Sequence, residues 1–402
     1  MPAPIPPLRI TAHTATSAAG RGRAALLDAL CARRTGLSRN DFGAAPLDCF
    51  IGRVAGLEDA PLPAEFANWE CRNNRLAWLG LQADGFIDAA RAARAHYGAD
   101  RVALVLGTST SSIGASEEAY RTLDADGNYP EHLRRPIVHQ PHSLGDFVAA
   151  ALGLDGPSVT VATACSSSAK VFAQAERLIR NGLADAAVVG GVDTLCDSVL
   201  YGFNSLGLVS PEPCRPFDPE RRGISIGEAA GFALLEQRGA PARGDAPWLL
   251  GYGESSDAHH MSSPHPEGLG ARRALEDALA RANLAGDAID YVNLHGTASQ
   301  KNDEVEALVV STMFPTTTRA SSTKGWTGHT LGAAGIVEAV VSLLAIEHGF
   351  MPGTLNARTL DAACGPQILL DNEQREVRRA ASNSFGFGGN NCVLLFGAPG
   401  TA

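Results

Sequence analysis

The residues best suited to chemistry are one cysteine and two histidines. Cys165 lies in SVTVATACSSSAKVFAQAERLIRNG, where an alternating run gives way to a helical pattern. A thiol at the first turn of a helix faces unpaired N–H groups and the positive end of the helix dipole, and both favour the thiolate. A strand-to-helix turn also presents its residue at the carboxyl end of a sheet, where open α/β folds bind ligands. The serine elbow of hydrolases uses the same geometry. A small buried core residue is the other reading of Cys165, and position alone leaves both open. His295 in NLHGTASQKNDEVEA and His329 in SSTKGWTGHTLGAAG each follow a segment readable as a strand exit, among Gly, Thr and Ser. A lone histidine is more often structural or solvated, but this crowding suits backbone packed around a ligand. Lys324 precedes His329 by five residues, and a cation beside imidazoles resists their protonation. The stretch NSFGFGGNN, 383–391, is too glycine-rich for a regular strand interior. It suits a backbone N–H aimed at an oxyanion and an aromatic lid at Phe385 or Phe387. The papain signature is absent. Two neutral imidazoles converging on one oxygen would instead hold the enolate left by a decarboxylation while the sulfur carries an acyl group.

The elements that must position these groups alternate. RVALVLGTSTSS reads as a buried strand opening into a hydroxyl-rich loop, SVTVAT as a second strand, and DAAVVGGVDT as a third. Between the last two, a helix runs from about Cys165 to Arg180, stopped by Asn181-Gly182. Strand, helix, strand within such a span is a βαβ unit, so a mainly parallel sheet covered on both faces is expected. Helices are also expected over 23–34, over 73–98 and in ALEDALARANL and AGIVEAVVSLLAIEHG, with strands in AIDYVNLHGTAS and NCVLLFG. RGAPARGDAPW, 238–248, reads as the linker between halves. The expected division is residues 1–240 with the nucleophile and 241–402 with both histidines.

Composition narrows the function. At 402 residues with 45% hydrophobic and 19% charged side chains, the chain is globular and long enough for a two-lobed fold. Its net charge of −10 supplies no basic stripe for nucleic acid. No apolar run is long enough by eye to cross a membrane, and the first residues lack a signal-peptide pattern, so a cytoplasmic location is expected. The eight cysteines form no CxxC pair, which favours free thiols in a reducing compartment. His259, His260 and His265 have no standard metal-site spacing, and no metal is expected.

Taken together, TACSSS, HGTAS with the following ND, KGWTGHTLGAAG and NSFGFGGNN resemble, in order, the nucleophile, first histidine, lysine–second histidine and gating motifs of the β-ketoacyl-acyl-carrier-protein synthases. RPFDPERRGISIGEAAG, SDAHHMSSPHPEG and the N-terminal LRITAHTATSAAG extend the resemblance over nearly the whole chain. The resemblance implies the thiolase fold: two similar α/β halves packed as five layers, α-β-α-β-α. The Cys-His-His set implies the elongating class, and the look of the motifs is nearest to synthases of aryl polyene pathways.

On that resemblance, Cys165 carries the acyl chain, and His295 and His329 decarboxylate malonyl-carrier protein and hold the enolate. Lys324 orients His329, and the N–H groups of Cys165 and Phe387 form the oxyanion hole, with Phe385 and Gly388 in the gate. Asp303 and Glu338 are supporting carboxylates, though a loop acid and a helix-face acid are equally good readings of them. Thr297 and Ser299 contact the pantetheine arm. Ile224 stands where relatives often carry an aromatic beside the acyl entrance. No cofactor is implied beyond the phosphopantetheine of acyl- and malonyl-carrier protein. The implied partners are an acyl carrier protein and a second subunit, either a copy of the chain or a chain-length-factor-like protein. Arg72, Arg75, Arg134 and Arg135 are candidates for the carrier's docking surface, or simply solvated. The rival readings are a pocket-shaping partner subunit lacking activity and a thiolase using Cys392 as base.

Overall fold

The computed structural model describes residues 2–237, 239 and 245–402. Ten strands carry the architecture: β1 Leu8–Ser17, β2 Val102–Gly107, β3 Ser158–Val161, β4 Ala186–Asp193, β5 Ala229–Glu236, β6 Trp248–Ser256, β7 Tyr291–Asn293, β8 Arg319–Ser321, β9 Arg379–Gly386 and β10 Asn390–Gly397. Their spatial order is β8-β7-β9-β10-β6-β1-β5-β4-β2-β3. The first five strands lie in the order 3-2-4-5-1 and the last five repeat it as 8-7-9-10-6. In both halves the first three of that order are parallel and the fourth is antiparallel. The halves join through two residue pairs, Leu8 with Leu249 and Arg9 with Trp248.

Five helices matter for the site: α1 Ser167–Arg180, α2 Asp197–Ser205, α3 Leu269–Ala282, α4 Gln300–Met313 and α5 Ala334–His348. α1 and α5 form the middle layer. α1 packs on β2 and β4 and reaches β6 and β10, while α5 packs on β5 and β9. Their shared core joins Phe172, Ile179, Ile336 and Leu343 to both sheets. The two helices approach closely: a Cβ on Gly335 would lie 2.5 Å from the Ala169 backbone nitrogen. Helices from 72–97 and 143–152 cover the first half's outer face, and α3 and α4 cover the second's. The result is the five-layered thiolase fold expected from the motifs.

Four local expectations are corrected. The helix expected over 73–98 is two helices, Arg72–Leu81 and Phe86–Tyr97. Asp84 and Gly85 between them take left-handed φ values of 54° and 69°. The break frees the Asp84 carboxylate to accept from the Thr14 hydroxyl and the Arg23 N–H. The segment 383–391 is largely strand, because Phe385 pairs with Asn391 and Gly386 with Asn390, leaving only 387–389 as the turn. The α1 helix starts after Cys165, which sits in the turn before it. Leu331–His348 is long and apolar enough to cross a membrane by composition, with mean hydropathy 1.6, yet 89% of it is buried in the protein. It is a core helix. The linker expected at 238–248 lies largely outside the described residues, and β6 already begins at Trp248.

Candidate active site

Cys165 is delivered by a strained turn. β3 ends at Val161, and Ala164 takes a φ of 52°, a conformation that costs a non-glycine residue about 1 kcal/mol or more. Hydroxyls hold it: Ser167 donates to the Ala164 carbonyl at 2.6 Å and accepts from the Thr163 N–H at 2.9 Å. The sulfur ends 3.0 Å from His329 Nε2. Its own N–H and that of Phe387 both point at it. These are the two donors an oxyanion forming at the sulfur-bound carbon would need.

The thiol's acidity runs against the expectation from the helix terminus. Burial pushes the Cys165 thiol up to about 11, outweighing the Phe387 N–H and the Lys324 charge, which pull it down. A free thiolate is therefore scarce at neutral pH, and the sulfur must lose its proton to a base as it reacts. The expected result is that iodoacetamide labelling of Cys165, followed by peptide mass spectrometry, rises about tenfold per unit between pH 7 and 9. A plateau below pH 8 would show that the helix dipole prevails.

His295 leaves β7 on a loop clamped by two buried carboxylates on α4. Glu306 accepts from the N–H groups of His295 (2.8 Å) and Gly296 (2.7 Å) and from the Asn383 amide (3.0 Å). Asp303 accepts from the N–H groups of Thr297, Ala298 and Phe217. Burial raises both acids, Glu306 to about 7. Asp303 is therefore a loop clamp, and Glu306 plays the same part. Sequence reasoning passed over Glu306 although it stands three residues after Asp303 on the same helix face, the signal that could have exposed it.

Lys324 departs from its expected role. Its ammonium donates to the His295 carbonyl and to Glu338, and lies 3.4 Å from His295 Nδ1. It orients His295, and only its charge reaches His329. A donor at Nδ1 makes that nitrogen the acceptor, so His295 carries its proton on Nε2. Glu338 on α5 is fully buried, raised to about 7 by that burial, and completes the ion pair. Burial first, and then Lys324, hold both histidines well below the usual imidazole range. The rings meet edge to face with centroids 5.4 Å apart. His329 Nδ1 is buried with no hydrogen-bond partner among the described residues. Nothing there fixes its tautomer, so its Nε2 is free to take the thiol proton and later return it.

These groups end a cavity of about 580 Å³, within the range of small-molecule sites. Its walls include Ile224, Phe203 and Leu208, the hydroxyls of Thr297 and Ser299, and the turn from Phe385 to Gly389. Phe385 rests 6.0 Å from His295 and Phe387 5.6 Å from Phe203, ring centre to ring centre. Gly388 and Gly389 take φ near 75°, open to glycine at no steric cost. The Gly388 N–H donates to the Met261 carbonyl and the Gly389 carbonyl accepts from Asp257, so the gate leans on the loop after β6.

Other expected residues lie elsewhere. Arg72, Arg75 and Arg135 line a second cavity, of about 460 Å³, away from this mouth. Arg72 is paired with Glu228 and Glu58, and Arg75 with Glu70. Arg134 donates to the Tyr129 carbonyl. The cations lining the catalytic cavity among the described residues are Arg221, which is buried and paired with Asp361, and Arg222 and Lys301. Cys392 is fully buried in β10 within the core, which removes the base a thiolase reading requires. His259 and His265 face each other at 5.1 Å in the loop after β6.

The model for the β-ketoacyl synthase N-terminal domain matches residues 75–240 and that for the C-terminal domain matches 248–358. The mitochondrial 3-oxoacyl-[acyl-carrier-protein] synthase of Arabidopsis thaliana is 41% identical over 270 residues, 62% of this chain and 58% of that protein's length. The 3-oxoacyl-[acyl-carrier-protein] synthase 2 of Staphylococcus aureus is 33% identical over 74% of this chain and 77% of its own. The structure of the ketosynthase ApeO, in complex with its chain length factor ApeC from Xenorhabdus doucetiae, superposes with a TM-score of 0.88 at 36% identity, covering 98% of each chain. With both domain models matched in order and a thiol and two imidazoles gathered at one cavity, the chain belongs to the β-ketoacyl synthase family, acyltransferases of the thiolase fold.

Proposed function

We propose that this chain is an elongating synthase that condenses an acyl thioester, held on Cys165, with malonyl-acyl-carrier protein. The observation that carries the reading is Cys165 Sγ at 3.0 Å from His329 Nε2, with the second neutral imidazole beside it at the end of one open cavity. Cys165 attacks the incoming thioester while His329 accepts the thiol proton. The pantetheine thiolate leaves and takes that proton. Malonyl-carrier protein then enters past Thr297 and Ser299. Carbon dioxide departs, and the enolate oxygen is held by Nε2–H of His295 and by His329. The carbanion attacks the acyl carbon, whose oxyanion meets the N–H groups of Cys165 and Phe387. Collapse expels the Cys165 thiolate, which takes up a proton from solvent, and releases a β-ketoacyl thioester. Neutral imidazoles suit this step: His295 donates from Nε2, and His329, whose Nδ1 has no partner among the described residues, donates once its remaining proton has moved from Nδ1 to Nε2, and neither protonates the enolate at once. No cofactor enters the sequence.

The partners we infer are the carrier protein and a second subunit. β3 closes one end of the sheet with its outer edge unpaired among the described strands, and Ile113, Tyr120 and Tyr201 stand exposed nearby around a shallow cavity. An uncovered edge beside apolar side chains suits a second chain of the same fold. The ApeO structure, solved with a chain length factor, supports a heterodimer of that kind, and the look of the motifs supports an aryl polyene or related pathway. Eight free cysteines agree with a reducing, cytoplasmic setting.

Incubating the protein with malonyl-carrier protein and saturated, polyunsaturated or aryl-primed acyl-carrier proteins, with and without a co-expressed partner subunit, tests the reading. At least one primer is expected to gain two carbons and a keto group, with one carbon dioxide released per product. Decarboxylation without elongation across the whole panel would overturn it.

A further inference from the structure

The catalytic trio has a second property that condensation does not use. Cys165 Sγ and one ring nitrogen from each of His295 and His329 all lie within 4.8 Å of one another. One of these approaches, from sulfur to His329 Nε2, is 3.0 Å. A tetrahedral zinc ion, with arms of about 2.3 Å to sulfur and 2.0–2.1 Å to nitrogen, spaces its ligand atoms about 3.3–3.6 Å apart. The 3.0 Å contact lies just short of this spacing and no separation exceeds 4.8 Å, so side-chain shifts of about an ångström complete three corners. The cavity supplies the fourth, open one.

The donor set is selective. A thiolate and two imidazoles suit zinc and its softer neighbours, whereas magnesium and calcium require oxygen ligands. The cation nearest the trio, Lys324, stands behind His295 on its Nδ1 side and is already paired with Glu338, so its charge is largely offset.

We propose that Cys165, His295 and His329 form a reversible inhibitory site for a zinc ion. On binding, the Cys165 thiol releases its proton to solvent, the His295 proton moves from Nε2 to Nδ1 as the Lys324 ammonium turns wholly to Glu338 and the His295 carbonyl, and the sulfur–zinc and nitrogen–zinc bonds form with no change of oxidation state. The same sulfur cannot then accept an acyl chain, so metal and acyl thioester exclude each other. A chelator returns the thiol.

Cobalt(II) titration of the full-length, reduced protein tests this without relying on turnover. The expected result is one equivalent with a thiolate-to-cobalt charge-transfer band and intense tetrahedral d–d bands, all displaced by zinc. Both sets of bands vanish in Cys165→Ala and in wild-type protein already acylated on Cys165, which covers the chance that the variant misfolds. They persist in a His259→Ala/His265→Ala variant, which removes the ring pair formed by exposed His259 and half-buried His265 beside the cavity. In parallel, one equivalent of zinc blocks acyl loading and a chelator restores it. Cobalt bands that survive in Cys165→Ala, or loading indifferent to zinc, would overturn the proposal. Because the spectrum reads only the metal, a failure to elongate any primer would leave it standing.

Discussion

Cys165→Ala abolishes acyl loading as read by intact-protein mass spectrometry, whereas His295→Ala still loads and loses malonyl decarboxylation by about 10³-fold, the upper range for removing one preorganised oxyanion donor. The split follows from the geometry. Of the two imidazoles, His329 is the one hydrogen-bonded to the sulfur, so proton removal during loading does not pass through His295. His295 presents Nε2–H because Lys324 occupies its Nδ1 side, which makes it a donor reserved for the enolate. Equal losses of loading and decarboxylation in His295→Ala would refute this division of labour, and so would acyl loading that persists without Cys165.

The second large effect concerns stability as well as rate. Lys324 and Glu338 are both almost wholly buried and paired with each other. Removing one member of such a pair strands the other charge in the interior, typically at about 3–5 kcal/mol, while replacing both by apolar groups of similar size is often near neutral. Lys324→Met is therefore expected to lower the melting temperature sharply, and adding Glu338→Leu to recover most of that loss. Decarboxylation stays low in both variants, because neither restores the donor at His295 Nδ1. A double variant that regains activity along with stability would show that the pair is merely structural. A single variant as stable as the parent would show that it was never strongly coupled.

The chemistry was legible in the amino-acid pattern where it sat in short, stereotyped loops at strand exits. Cys165, His295, His329, Lys324 and the gating residues Phe385, Phe387 and Gly388 of the segment 383–391 were all named there, and the fold gathers them. What stayed hidden depends on quantities no local window contains. The Cys165 thiol rises because of burial by neighbours from both halves, chiefly distant in sequence, while the helix terminus that argued for the opposite direction is local. Lys324 was read toward its sequence neighbour His329, but the backbone turn between them aims its ammonium at His295 instead. The glycines of 383–391 suggested a loop, yet pairing with β10 overrides their weak strand preference up to Gly386. The periodicity over 73–98 gave no sign that Asp84 would break the helix to reach Thr14 and Arg23. Arg72 and Arg75 looked like surface cations because their carboxylate partners, Glu228 and Glu70, could not be assigned from spacing.

The doubled strand order has a consequence for how this molecule fails. The sulfur belongs to the first copy of the motif, and both imidazoles and their ammonium belong to the second. Neither copy holds a working centre, so reactivity exists only along the seam where α1 meets α5. With Gly335 pressed against Ala169 there, even slight slippage of one copy past the other pulls proton acceptor from donor while each copy keeps its own hydrophobic interior. Inactivation then precedes melting, and the enzyme's sensitivity to heat or denaturant is that of a joint.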